Sequence, residues 1–299
     1  MIVGMLLQAL NRVWPDPQPA LVFELGGGVL MGVRRAASAV LARAERELPE
    51  TDPASAEPQP PDGLQDAIQA VLGELQPVPS PHAAVLLPDE AVRLALFEFD
   101  SLPRRAQDLR NAVEERFRNS LPFDSRLARI TFRAQHGGER PSVFAAAVAT
   151  EYVLRCESAF EAAGLCPGFV GSSCAAALNL VDDDAMAVLL KHSDQAMTIT
   201  AVDGGTVRLL RRIALPNLHG GDAATGVREV LADVFPTLVY IEENLGRAVE
   251  HLLVAGFGEM QAALVEALPG EAGSPAKPLL GLQFASASCG AGLMGYVHG

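Results

Sequence analysis

The feature that most constrains this chain is a β-meander that opens each of its two halves and is followed each time by alternating helices and strands. In the first half, Ala20 to Val33 reads as two β-runs hinged on Gly26-Gly27-Gly28, because glycine alone tolerates the positive φ that a tight hairpin demands. In the second half, the β-runs Ala187 to Leu190, Met197 to Val202 and Val207 to Ala214 are separated by turn residues that include Asp203-Gly-Gly. Such alternation points to mixed α/β domains. A length of 299 residues exceeds one ordinary compact domain and predicts two or three lobes.

Between the meanders, Leu64, Ile68, Val71, Leu72 and Leu75 fall at helical spacing and predict an amphipathic helix over Leu64 to Leu75. Strands are expected at His82 to Leu87 and Val92 to Phe99. A helix over Ala106 to Asn119 follows, with Leu109, Val113 and Phe117 on one face. Further strands, Ala128 to Arg133 and Val143 to Ala149, flank Gly137-Gly138. A helix over Glu151 to Ala163 stops at Gly164, and Leu165 to Val170 resumes as strand. Later segments read as helices Gly226 to Phe235 and Asn244 to His251, a strand Leu252 to Ala255 and a helix Glu259 to Leu268. Arg34 to Glu47 is ambiguous, since alanine-rich helix propensity competes with period-two alternation. The five prolines of Pro49 to Pro61 predict an exposed loop.

Composition narrows the class. A net charge of −13 opposes a nucleic-acid partner, because phosphate binding draws on clustered Lys and Arg. No apolar run approaches the ~20 residues that span a bilayer, so a soluble chain is expected. Met1 to Leu10 is apolar, without a basic leader or a small-residue cleavage site, and reads as a short amphipathic helix. Cys156, Cys166, Cys174 and Cys289 never form CxxC, and no histidine stands at ligand spacing, so buried thiols are expected and no metal site. Ser172-Ser173-Cys174 lacks the GxSxG pattern of a nucleophile turn and fits a helix N-cap by Ser172 or Ser173. Glu242 and Glu243 are neighbours that point in different directions on a helix, without an acid-base partner, and no catalytic residue is assigned.

The order of segments resembles the PilM-type family of type IV pilus assembly proteins. The resemblance lies in "VLLPDEAVRLALFEFDSLP", "AVEERFRNSLPFD", "FAAAVATEYVLRCESAFEAAGLCPGFV", "VDGGTVRLLRRIALP", "LLVAGFGE" and "CGAGLMG". No single motif is specific, and the weight rests on their collinearity over essentially the whole chain. The resemblance implies an α/β, actin-like (ribonuclease-H-like) fold with two lobes facing a nucleotide cleft. On this plan residues 1–101 form the first lobe, with a Pro-rich loop at 49–61. Residues 102–170 form a small inserted α+β subdomain, 171–185 return to the first lobe, and 186–299 make the second lobe.

The resemblance also implies a nucleotide site, and one that is degraded in this chain. An actin-like ATPase holds Mg²⁺ between acidic hairpins on either side of the cleft, usually through water, while backbone amides and small hydroxyls bind phosphate. The first hairpin keeps a carboxylate as Glu24 and backbone access at Gly26, Gly27 and Gly28, but lacks the family's hydroxyls and lysine. In the second, Lys191, His192 and Ser193 stand where Asp-x-Gly is expected, with Asp194 as an alternative acid under a shifted register. An ammonium ~4 Å from Mg²⁺ would be repelled by several kcal/mol, on the order of 4 per unit charge. Gly256 and Gly258 match the adenosine loop and equally suit a plain strand-to-helix turn. The expectation is a cytoplasmic scaffold at the inner face of the inner membrane, with ATP as its one conceivable cofactor, no Mg²⁺, and little or no hydrolysis. It would bind the cytoplasmic N-terminal tail of a PilN-type inner-membrane protein along Ala83 to Val170, alongside other pilus machinery, and be peripheral to the membrane through that partner. The alternatives are an active actin-like ATPase and the cytoplasmic component of a type II secretion system.

Overall fold

The computed structural model describes residues 19–49, 59–78, 80–137, 140–181, 185–193, 196–215, 223–281 and 289–299. The expected helix at Met1 to Leu10, most of the Pro49 to Pro61 loop and the alternative acid Asp194 lie outside them.

The chain runs β1 (Leu21–Gly26), β2 (Val29–Ala36), β3 (Ala39–Glu47), α1 (Leu64–Glu74), β4 (His82–Leu87), β5 (Val92–Glu98) and α2 (Ala106–Arg118). It continues through β6 (Ala128–Gln135), β7 (Ser142–Ala149), α3 (Thr150–Ala162), β8 (Cys166–Ser172) and the short α4 (Ser173–Ala177). The second half holds β9 (Ala187–Ser193), β10 (Ala196–Asp203), β11 (Thr206–Ala214), α5 (Ala223–Leu245), β12 (His251–Ala255), α6 (Gln261–Ala272), β13 (Ala276–Pro278) and α7 (Ala291–His298).

Two sheets share one plan: β3-β2-β1-β4-β8 and β11-β10-β9-β12-β13. In each, an antiparallel meander is extended by parallel strands, β1 against β4 and β9 against β12. The ambiguous segment Arg34 to Glu47 is strand on either side of a tight turn, with Ala42 and Ala44 packed against one face of the sheet and Val40 against the other. Gly27 and Gly28 take φ of 58° and 70°, the paired left-handed conformation of a two-residue hairpin loop.

Strand periodicity decides which face each residue serves. Leu21, Phe23 and Leu25 of β1 pack beneath α1 and α3, where Phe23 meets Phe160 edge to face at 5.1 Å. Val22 and Glu24 turn to the opposite face, which is covered by α7 through Leu293, Met294 and Val297. In the second sheet Val188 and Leu190 pack under α5 and α6, while Ala187 and Leu189 face the other way toward Ala177 and Ala291.

A third sheet, β5-β7-β6, is backed by α2. The small Ala145 and Ala147 of β7 leave room for Val113 and Phe117 to settle close to it. Strand Val92–Glu98, placed by the sequence in a first lobe ending at residue 101, pairs along its length with β7 in this third sheet. Its alternation suits either sheet, and only the pairing register decides. Helix Ala291–His298 touches both main sheets: Leu293, Met294 and Val297 fit the Val22 and Met31 face of the first, and Ala291 meets Ala187 and Leu189 of the second.

Two further segments differ from expectation. Helix α5 is continuous through Pro236, where a stop was expected. Its buried stripe Val227, Val230, Val234, Leu238 and Ile241 carries on across the proline, and that packing offsets a cost of ~3 kcal/mol for a proline inside a helix. No separate helix forms over Asn244 to His251: Asn244 and Leu245 end α5, Gly246 takes φ 62°, and the amides of Glu250 and His251 bond to the Met186 carbonyl as the chain enters β12. The edge strand Ala276–Pro278 was not anticipated, being three residues long.

Candidate functional site

The site candidates converge where the ends of the two central strands, β1 and β9, meet the N-termini of α4 and α7. Glu24 is 1% exposed, and the alternation of β1 aims its carboxylate at α7. Oε2 accepts the Leu293 amide at 2.6 Å, and Oε1 accepts the Gly292 amide at 3.4 Å and the Ser173 hydroxyl at 2.5 Å. The carboxylate thus sits at a helix N-terminus, where unpaired amides and the helix dipole favour an anion.

Lys191 shares the face of Ala187 and Leu189 on β9 and is 4% exposed. Its Nζ lies 2.7 Å from Asp89 Oδ2, with both side chains 5% exposed. Asp89 Oδ1 accepts the Cys174 amide at 3.0 Å, and the Arg212 guanidinium donates to the Asp89 carbonyl at 3.2 Å. Burial alone would lower the lysine pKa, but the charges of Asp89 and Glu24 outweigh it and hold the pKa above its ordinary value. The same burial, reinforced by Asp89, pushes the Cys174 thiol up to about 12, while Cys289 is raised by burial and by Glu24. Both are inert buried thiols.

Ser193 faces the same side and donates to Glu90 Oε2 at 3.0 Å. His192 points to the opposite face, where Nδ1 lies 3.2 Å from the Gly256 carbonyl and the ring lies 5.2 Å from that of Phe257. Gly256 explains itself sterically: a Cβ there would stand 2.2 Å from the His192 carbonyl oxygen, and its φ is 84°. Gly258, with φ 56°, opens the 3-10 turn before α6. Gly26 lies near Ser193, whose Oγ would be 3.7 Å from an added Cβ, whereas one at Gly28 would meet nothing within 4 Å.

Glu24, Gly26, Lys191 and Ser193 are therefore brought together, and His192, Gly256 and Gly258 belong to an adjoining layer. Asp89, Glu90 and Ser173 complete the cluster and were not singled out by the sequence as site residues. The one available signal was an acidic pair at the C-terminal end of a parallel strand, the usual position of ligand-facing groups in α/β sheets. Of the two serines, Ser172 is the cap, accepting the Ala175 amide at 3.2 Å, and Ser173 is freed to serve Glu24.

These residues do not fit a magnesium nucleotide. Glu24 already accepts three hydrogen bonds, and the second hairpin presents a buried ammonium whose charge Asp89 balances. No group of three or more His, Cys, Asp or Glu suited to a metal occurs among the described residues. No helix among them is long and apolar enough to cross a membrane.

No protein-family model matches the chain. No curated protein matches it either. Among solved structures it is similar to one described as the PilM-PilN type IV pilus biogenesis complex, with TM-score 0.74, 17% identity, and coverage of 93% of this chain and 97% of that one. It is also similar to a Bacteroides thetaiotaomicron protein with an actin-like ATPase fold, at TM-score 0.55 and 9% identity over 94% and 96% of the two chains. The cytoplasmic domain of EpsL, an inner-membrane component of the type II secretion system of Vibrio cholerae, matches at TM-score 0.53 and 11% identity over 89% and 91%. The chain has the actin-like fold, and in its fold it is PilM-like.

Proposed function

We propose that this chain is a PilM-type scaffold of type IV pilus assembly, which docks the cytoplasmic N-terminal tail of a PilN-type inner-membrane protein and does so without hydrolysing ATP. The observation that carries the reading is the near end-to-end agreement with the PilM-PilN structure, over 93% of this chain and 97% of that one. The cleft supports it from the chemical side. Glu24 supplies the anion at the α7 N-terminus, Lys191 supplies the cation, and each finds its partner within the chain. A scaffold that reads a peptide through apolar anchors and backbone pairing needs no catalytic group, so it can lose metal chemistry and keep its partner. The protein would then lie in the cytoplasm at the inner face of the membrane, tethered through that partner, with other faces left for further pilus components. The type II secretion reading fits less closely, with a TM-score of 0.53 for EpsL against 0.74.

Fluorescence anisotropy with a labelled N-terminal peptide of the PilN-type protein tests this directly. Saturable binding is expected in nucleotide-free buffer, unchanged by added Mg·ATP. Absence of saturation with intact, folded protein would remove the scaffold reading and leave the fold alone.

A further inference from the structure

We infer that the pocket where β5 of the third sheet meets β10 and β11 of the second is a binding site for an oxyanion, a carboxylate or a phosphate group. The pocket is small, about 70 Å³, which suits a single anionic group. Val92, Leu94 and Leu210 give it apolar walls, and Arg93, Arg212 and Thr198 supply the donors.

Three features make it selective for an anion. First, Arg93 and Arg212 both line it, and neither has a carboxylate partner among the described residues, in a chain whose net charge is −13. Second, Asp89 also lines the pocket, but its carboxylate is committed to Lys191 at 2.7 Å and to the Cys174 amide at 3.0 Å, so it does not neutralise the arginines. Its carbonyl instead orients Arg212 through a hydrogen bond of 3.2 Å. Third, Thr198 is held with only 6% of its surface exposed and lines the pocket, where its hydroxyl can donate to an anion's oxygen. Guanidinium groups are suited to such ligands because their planar donors match carboxylate and phosphate oxygens in pairs. Arg93 belongs to the third sheet and Arg212 and Thr198 to the second sheet, so a bound anion would tie the two sheets together.

The source of the anion is decided by two titrations at constant ionic strength, one with inorganic phosphate and one with N-acetyl-glutamate amide as a model acidic side chain. Calorimetry is expected to show one saturable site for at least one of them, and the tighter of the two names the source. Arg93→Gln should weaken it about tenfold, the loss of one charge-assisted interaction, without lowering the melting temperature of the free protein. Thr198→Val should weaken it in the same direction, which a purely structural arginine effect would not produce. If neither anion saturates, or if Arg93→Gln binds as the wild type does, the pocket is not an anion site.

Discussion

The two main sheets are built alike and their central strands carry charges of opposite sign at corresponding places. Glu24 lies two residues beyond the buried Val22 on β1, and Lys191 two residues beyond the buried Leu189 on β9. Each occupies the last pair of its register with the parallel neighbour, Glu24 with Leu86 and Lys191 with Ala255. They are satisfied differently. Glu24 is held by neutral donors, two helix amides and a hydroxyl, whereas Lys191 is held by a full opposite charge. One duplicated scaffold can thus keep a buried carboxylate with dipoles but needs an ion pair to keep a buried ammonium, because an ammonium has donors only and demands acceptors.

The sharpest way to break this comparison is to delete one charge from each side. Lys191→Met leaves Asp89 buried beside one amide and should destabilise the protein by ~3–5 kcal/mol in urea denaturation. Lys191→Met combined with Asp89→Asn should recover part of that loss, because the uncompensated charge is then gone. Glu24→Ala should cost less, ~2–3 kcal/mol, since the donors it abandons are neutral. Equal losses at the two positions would erase the distinction.

The helix pair beneath both charges gives a smaller effect. A Cβ on Gly295 would lie 2.0 Å from the Ala176 carbonyl oxygen, so Gly295→Ala should force α7 away from α4 at a cost of ~1–3 kcal/mol. Alkaline titration sharpens the account of Lys191. With a folded pKa above the unfolded one, its contribution is fully present below the ordinary lysine value of 10.5 and is lost only as pH rises through the higher folded value. Denaturation midpoints should therefore show no loss from Lys191 between about pH 7 and 9. The smallest effect is chemical: Cys166 is exposed whereas Cys156, Cys174 and Cys289 are buried, so one thiol should react with a maleimide in native protein and four after unfolding.

Much of the fold was legible because its elements are set by local period and punctuation. The Gly27-Gly28 turn, the stripe of Leu64, Ile68 and Val71, and the strand His82 to Leu87 stand where pattern and turn residues put them. What misled was local too: Pro236 is a helix breaker by propensity, and only the stripe from Val227 to Ile241, packed on the second sheet, overrides it. The sheet that Val92–Glu98 joins was not legible, because an alternating strand does not say with which sheet it pairs. The charges of the cleft were visible as odd residues, Glu24 and Lys191, in otherwise apolar strands. Their partners were not, because Asp89 is 102 residues from Lys191 and Ser173 is 149 from Glu24. No spacing rule reaches that far.

The central claim is that the chain's own charges take the place of a metal nucleotide in the cleft. Titration of purified protein with Mg·ATP, followed by calorimetry and by phosphate release, tests it most directly. The account predicts no release above background and no Mg²⁺-dependent heat of binding. Turnover that disappears in Glu24→Ala or Lys191→Ala protein still shown to be folded would contradict it, because those side chains would then be serving a nucleotide.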